Sequence, residues 1–325
     1  MRILCTGGAG YVGSHCYRHF LAAGHEAVVL DDLSEGNTAA VPSGEIERVA
    51  LADTEGLARV LRDQRIDAVA HFAALISVPA SIKEPAAYWA VNAQGTQSLL
   101  DAMVSVGVDN IVVSSTAAVY DHDAPMPLSE TSSLAPATPY GASKLATEHL
   151  VRDYAAAYGL RGTCLRYFNA AGAEPDGSHG ECRRIESHVV PLLMMYALGQ
   201  RDKFMVFGTD WPTPDGSCIR DFVALQDLAS AHLLALEKAK PGQCGIYNLG
   251  TGEGTSVWEV VKAAREITGL ALPVEEAPRR PGDPAVLVAD SRRAREDLGW
   301  VPAHSTIRSI LSNAWAWHSG QPKGY

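Results

Sequence analysis

The chain has 325 residues, 47% hydrophobic and 20% charged, which suits a globular protein with a real core and excludes a disordered one. Acidic side chains outnumber basic ones by 37 to 27; a negative surface repels phosphate backbones, so nucleic acid is excluded as an expected partner. No apolar run approaches the ~20 residues of a membrane span, nothing signal-like follows Met1, and the six cysteines form no CxxC pair. Scattered thiols suit a reducing compartment, so the expectation is a cytoplasmic protein off the membrane.

Short apolar runs at 3–6, 27–30, 68–72, 111–114 and 163–167 predict strands buried on both faces, as in a parallel sheet. Helical patterns lie between them at 10–23, 55–63, 88–106 and 141–158. Several end at a glycine (Gly24, Gly107, Gly159), which closes helices at little steric cost. This alternation predicts an α/β fold, a doubly wound parallel sheet of the Rossmann type. From about residue 170 the texture changes: 173–184 reads as a loop, strand and helix patterns return at 220–236 and 245–249, and 273–284 is charged and proline-bearing. The expected division is a dinucleotide-binding domain over 1–170 with about 219–250, and a smaller C-terminal α/β substrate-binding lobe over about 171–218 and 251–325.

Thr6-Gly7-Gly8-Ala9-Gly10-Tyr11-Val12-Gly13 follows the first strand and opens the first helix. Gly7, Gly10 and Gly13 answer three needs: a tight turn, close backbone approach to a diphosphate, and close helix–strand packing. The helix start, including Tyr11 and Val12, offers free N–H groups to that diphosphate. Asp31, followed by Asp32, ends the next strand; a carboxylate there accepts from ribose hydroxyls and repels a 2′-phosphate, so NAD is expected over NADP. Asp53 is placed to reach the adenine amino group, and Phe72-Ala73-Ala74 leaves room beside the cofactor.

Tyr140-Gly141-Ala142-Ser143-Lys144 opens a helix after Pro139. Positions i and i+4 share a helix face, so Tyr140 and Lys144 point the same way. A phenol titrates near ~10; the Lys144 ammonium and a cationic nicotinamide are both expected to lower it by ~2–3 units, roughly 3–4 kcal/mol. The phenolate is then a base for a hydroxyl whose carbon loses hydride. Thr116, at the end of a strand, is placed to bridge that hydroxyl and Tyr140.

These residues resemble the extended short-chain dehydrogenase/reductase family. Further stretches look like its UDP-glucose 4-epimerase members: Leu165-Arg166-Tyr167-Phe168-Asn169, Phe207-Gly208-Thr209-Asp210, Asp215-Gly216-Ser217 with Arg220-Asp221, Tyr247-Asn248-Leu249-Gly250, and Arg279-Arg280-Pro281-Gly282-Asp283. The resemblance implies a 4-epimerase of a UDP-sugar, with UDP-galactose/UDP-glucose as the first expectation, working through a transient 4-keto sugar and acting as a homodimer. It implies cofactor contacts at Asn92, Ser114, Tyr167 and Phe168 and at the Tyr140–Lys144 pair, Lys144 also reaching the nicotinamide ribose. On the substrate side it implies Asn169, His188, Val189, Val206, Phe207, Arg220, Arg280 and Asp283, besides Thr116 and Tyr140. Leu287 falls where side-chain bulk decides whether an N-acetyl group fits.

The match departs from the family's pattern at Ile76, at Asp121 and at Phe222-Val223-Ala224. Arg279 is expected to form a surface ion pair. The alternatives are a 4-epimerase of N-acetylhexosamine, pentose or glucuronate nucleotides, a nucleotide-sugar 4,6-dehydratase, and a non-catalytic NAD-sensing protein. A dehydratase needs an acid and a base after the threonine, where Ala117-Ala118 stand. His15, His19 and His71 read as helix-face or strand-end residues rather than ligands, so no metal site is expected.

Overall fold

The structure, a computed structural model, describes residues 1–280 and 282–325; Pro281 of the Arg-Arg-Pro-Gly-Asp motif lies outside the described residues. The first half alternates as the sequence predicts: β1 (Arg2–Thr6), α1 (Tyr11–Ala22), β2 (Glu26–Leu30), β3 (Ile46–Glu47), α2 (Thr54–Asp63) and β4 (Ala68–His71). Two short helices, α3 (Val78–Lys83) and α4 (Pro85–Tyr88), precede a wide π-helical turn at Trp89–Gln94 and α5 (Gly95–Val106). The run expected as one helix at 88–106 is therefore interrupted by that turn. Next come β5 (Asn110–Thr116), α6 (Pro139–Tyr158), β6 (Arg161–Tyr167), β7 (Asn169–Ala171), α7 (Val189–Ala197), β8 (Met205–Phe207), β9 (Ile219–Arg220) and β10 (Phe222–Ala224). The chain closes with α8 (Leu225–Lys238), β11 (Gln243–Leu249), β12 (Thr255–Ser256), α9 (Val257–Thr268), β13 (Glu275–Ala277), β14 (Val286–Leu287), α10 (Arg292–Leu298) and α11 (Ile307–Gly320).

Seven strands form one sheet in the order β11-β6-β5-β4-β1-β2-β3, and every pairing within it is parallel. Strand period fixes the layers. Ile3, Cys5 and Val112 face a core with Cys16 and Phe20 of α1 and Leu228 of α8. Leu4, Ile111 and Val113 face the other core, with Leu57 of α2, Leu99 of α5 and Val151 of α6. Between β1 and β4 the winding reverses direction, and in such sheets ligands sit outside the carboxyl ends of the strands at that point.

A third core joins Leu193 and Met194 of α7, Val206 of β8, Val260 and Val261 of α9, and Ile310 and Leu311 of α11. It carries the small parallel pairs β7·β10 and β8·β13 and the three-stranded sheet β12-β9-β14. Ser256 and Glu259 form a reciprocal capping box at the start of α9, a local signal that fixes where this helix begins.

Candidate active site

The turn after β1 is built by its glycines. Gly7 has φ +68° and donates its N–H to the Leu30 carbonyl at 2.7 Å. A β-carbon there would lie 2.5 Å from the Ala73 nitrogen, so only glycine lets the turn press against the end of β4. A β-carbon on Gly13 would lie 2.3 Å from the Gly7 carbonyl, which packs α1 onto the turn. Gly10 differs: a β-carbon there would meet nothing nearer than the Gly7 carbonyl at 3.2 Å and would otherwise fill open space. Gly10 is the N-cap of α1 with no side-chain cap bond, so the first-turn N–H groups of Tyr11, Val12 and Gly13 point outward without an intrahelical partner. This is a cradle for an anion, and a dinucleotide diphosphate fits it.

Asp31, at the end of β2, is buried at 7% exposure. One oxygen accepts from the Ala9 N–H at 3.0 Å and the other from the Leu33 N–H at 2.9 Å, leaving each with acceptor capacity. Burial pushes this carboxyl above its usual range, against those two bonds. Asp32 points outward and caps the Ser34 N–H and hydroxyl, so the pair divides into a cleft residue and a loop brace. Asp53 is the N-cap of α2, accepting from the Gly56 N–H at 2.9 Å through one oxygen. Phe72, Ala73 and Ala74 are half-buried where the chain leaves β4.

Thr138 caps α6 and Pro139 takes its first position, so Tyr140 sits in the first turn, near the end of β5. The helix begins two residues before the predicted start, because proline needs no N–H partner there. Tyr140 is partly exposed, whereas Lys144 is 3% exposed. The Lys144 Nζ donates to the Ser114 Oγ at 3.5 Å, and burial pulls its ammonium down to about 8, against the fields of Cys164 and Glu148. Burial raises the Tyr140 phenol, against the Thr116 hydroxyl and then the Arg183 guanidinium. The Lys144 side chain extends from α6 to the end of β5, where its ammonium meets Ser114.

Asn92, expected to touch the cofactor, is 1% exposed. Its amide accepts from the Leu75 N–H at 2.8 Å and donates to the Leu75 carbonyl and the Ser143 hydroxyl, both at 3.0 Å. It clasps the segment after β4 to α6, so its side chain supports the cleft and is not open to it. The Tyr167 hydroxyl is likewise engaged, 2.5 Å from the His232 Nε2. Phe168 is buried with Val119, Tyr120 and Leu128, and its N–H is bonded to the Leu249 carbonyl.

On the lobe side, Asn169, His188 and Val189 line a small cavity with Phe222. The Asn169 Oδ1 is buried and has no hydrogen-bond partner among the described residues, the mark of a group awaiting a donor. Arg280 stacks its guanidinium 3.9 Å from the centre of the Phe207 ring. Arg220 donates to the Ile219 and Pro284 carbonyls at 2.9 Å and lies 3.7 Å from Asp283. Leu287 pairs with Arg220 between β14 and β9. Arg279 forms the expected surface pair, with Asp210 at 2.8 Å, and stacks on Trp211. Val206 is fully buried in the lobe's core.

Two groups were not singled out from the sequence. Glu148 lies buried on α6, one turn beyond Lys144, and accepts from the Ser115 hydroxyl (2.5 Å) and from Arg166 Nε (2.9 Å) and Nη2 (2.6 Å). Arg166 also donates to the Tyr120 hydroxyl at 2.8 Å. A charged residue eight positions after Tyr140, on an inward stripe, was the available signal. The second group lies in the loop before α7: Glu181, Glu186 and His188 bring their polar atoms within 4.8 Å of one another. The histidine spacing did not foreshadow this cluster. Its carboxylates are already compensated, because Arg183 lies 2.5 Å from Glu181, and His188 lies 3.3 Å from Glu181 and 3.0 Å from Glu186.

An uncapped glycine turn at the winding reversal, a buried carboxylate after β2 and a Tyr–Lys helix after β5 define a dinucleotide-binding α/β protein of the Rossmann type. A family model, the NAD dependent epimerase/dehydratase family, matches residues 3–250. The UDP-glucose 4-epimerase of Corynebacterium glutamicum is 46% identical over 320 residues, covering 98% of this chain and 96% of that protein. A crystal structure of a UDP-glucose 4-epimerase superposes with a TM-score of 0.95 at 42% identity, covering 100% of this chain and 99% of that one. The UDP-glucose 4-epimerase of Bifidobacterium longum in complex with NAD+ and UDP gives a TM-score of 0.95 at 33% identity, covering 100% of each. The chain belongs to the NAD dependent epimerase/dehydratase family.

Proposed function

We propose that this chain is an NAD-dependent 4-epimerase of UDP-sugars, with UDP-galactose and UDP-glucose as the pair it interconverts. The observation that carries the reading is the meeting, at the carboxyl ends of the central strands, of an uncapped glycine cradle with a partly open Tyr140 beside Thr116. Gly7, Gly10, Tyr11, Val12 and Gly13 would hold the cofactor diphosphate, Asp31 the adenosine ribose, and Ser114, Lys144 and the backbone at Ala73-Ala74 the nicotinamide half. Bound NAD supplies a hydride acceptor that returns what it takes, so none is consumed over a turnover.

The chain's own residues do the rest. Thr116 orients the 4-hydroxyl of the sugar and Tyr140 accepts its proton; once the 4-keto sugar has presented its other face, Tyr140 returns the proton. Asn169, Arg220, Arg280 and Asp283 hold the nucleotide diphosphate, the arginines through planar forks that stay charged. Ala117 and Ala118 follow Thr116, and apolar side chains cannot move the protons a dehydratase needs. In this reading, 1–170 with about 219–250 serves the cofactor, and 171–218 with 251–325 serves the substrate. The same reading makes the chain a cytoplasmic homodimer joined through the Trp89–Gln94 turn with α5 and through α6, where Trp89 and Tyr158 are left exposed; its six free cysteines suit that compartment.

The test offers the purified protein UDP-galactose, UDP-N-acetylgalactosamine, UDP-xylose and UDP-glucuronate separately, with products resolved by NMR. UDP-glucose formed from UDP-galactose, at a rate several orders of magnitude lower in Tyr140→Phe that still retains NAD, is the expected result. Full turnover in Tyr140→Phe, or no epimer from any of the four, overturns the reading.

A further inference from the structure

Successive turns of α6 are bound to β5 and the turn that follows it. At the first, a β-carbon on Gly141 would lie 2.3 Å from the Ala118 carbonyl. The turn that carries Tyr140 therefore rests directly on the turn that follows Thr116. At the second, the Lys144 Nζ reaches the Ser114 Oγ at 3.5 Å. At the third, Glu148 accepts from the Ser115 hydroxyl at 2.5 Å. Tyr140, Lys144 and Glu148 follow one another at helix spacing and so share the face that meets β5. The third contact is short and charge-assisted, a kind of bond roughly twice as strong as a neutral one.

Glu148 is itself held fast. Its side chain is 2% exposed and that of Arg166 is 1% exposed. Arg166 donates through Nε to one carboxylate oxygen at 2.9 Å and through Nη2 to the other at 2.6 Å. Such a planar fork fixes the orientation of the carboxylate. Arg166 also donates to the Tyr120 hydroxyl at 2.8 Å, and that hydroxyl donates to the Asn248 Oδ1 at 2.6 Å. The carboxylate is thus anchored from β6 and, through Asn248, from β11. Ser115 and Arg166 are register partners on β5 and β6, so adjacent strands converge on one carboxylate of α6. That junction lies one residue before Thr116. The Ser115 hydroxyl and both Glu148 oxygens are taken up within it, so they act only through the residues they hold.

We propose that Glu148 is a positioning residue for the proton transfer: holding Ser115, it fixes the end of β5 against α6 and so sets the spacing of the Thr116 and Tyr140 hydroxyls. This role rests on Tyr140 being the base and on Thr116 orienting the same sugar hydroxyl. Two groups on different elements meet one hydroxyl only while those elements keep their spacing. A misplacement of ~1 Å costs such a reaction on the order of 10²-fold. The first contact is steric and the second is long, which leaves the Ser115–Glu148 bond to resist sliding of the strand past the helix.

The test compares the NAD-saturated native protein with Ser115→Ala, Ser115→Thr and Tyr140→Phe, measuring kcat and KM for UDP-galactose and the NAD each protein retains. Ser115→Ala removes the bond to the strand and leaves the Glu148–Arg166 pair intact, so it spares the fold where a change at Glu148 does not. It is expected to lose about ten- to a hundredfold in kcat with KM within about twofold, the pattern of a lost alignment in the transition state. Ser115→Thr keeps the hydroxyl on a side chain suited to a strand and should recover kcat to within about threefold of native. Three results would each overturn the proposal and leave the junction a brace of the fold: a native kcat in Ser115→Ala, a fall in kcat matched by a rise in KM or by loss of NAD, or a Ser115→Thr as slow as Ser115→Ala. Tyr140→Phe tells the two failures apart. Turnover there removes the base assignment, whereas an inert Tyr140→Phe beside a native-rate Ser115→Ala removes only the role of Glu148.

Discussion

Replacing Glu148 with glutamine removes the centre of the buried network behind the catalytic helix. The carboxylate accepts three hydrogen bonds, one from Ser115 and two from Arg166, and both charged side chains are at most 2% exposed. A glutamine carbonyl has two lone pairs, so at least one bond is lost, and its amide protons would face the guanidinium. Hydrogen bonds to charged groups are worth about 1.5–3 kcal/mol each, and losing one or two gives roughly 2–5 kcal/mol. Stranding a buried charge gives a similar figure, about 3–5 kcal/mol. Equilibrium urea unfolding with saturating NAD should therefore place Glu148→Gln about 4 kcal/mol below the native protein, a midpoint shift of more than ~1 M urea. Glu148→Met with Arg166→Met should lose much less than the sum of the single changes, because the double change leaves no charge unpaired. A loss below about 1 kcal/mol for Glu148→Gln, or strict additivity in the cycle, would refute the claim that this pair is energetically coupled.

Lys144 offers a pH test of the opposite sign. Burial holds its ammonium at about 8 against an ordinary 10.5, so the native state binds this proton less tightly than the unfolded chain does. The charge then costs about 3 kcal/mol below pH 8, and the cost fades as pH rises from 8 to 10.5. Lys144→Met should be inactive yet more stable than native at pH 7, with the gap closing by pH 10 in paired urea melts; a gap constant with pH contradicts the burial argument. At the far end of the cleft, Leu287→Ser removes apolar bulk beside Arg220. It should raise kcat/KM for UDP-N-acetylgalactosamine about tenfold or more while leaving UDP-galactose within about threefold, in line with what one apolar contact discriminates. Equal kcat/KM for the two sugars in the native enzyme would show that Leu287 is not a gate.

Local pattern alone was enough to place the framework of this protein. A buried strand must be apolar on both faces, a turn that presses on a neighbouring strand must be glycine, and proline with a preceding threonine starts a helix. Each rule acts over a few residues, so the strands around β1, β2, β4, β5 and β6, the cradle at Gly7, Gly10 and Gly13, and the position of Tyr140 in the first turn of α6 were all legible in the sequence. The particular motifs from Leu165 to Asp283 pointed to the same family that the full-length relatives define.

What each side chain does with its polar atoms was decided by tertiary structure, because the partners are far apart in the chain. Lys144 reaches Ser114, thirty positions away, across from its own helix to β5. The amide of Asn92 is bonded to Leu75 and Ser143, seventeen and fifty-one positions away, and Val206 is buried in the lobe's core. Conversely, Arg183 sat in a stretch read only as loop; packing of Glu181 under it and Tyr11 beside it gave that arginine a fixed place. Periodicity determines which way a backbone faces, whereas electrostatic roles depend on distances between segments, and these exist only once the chain has folded.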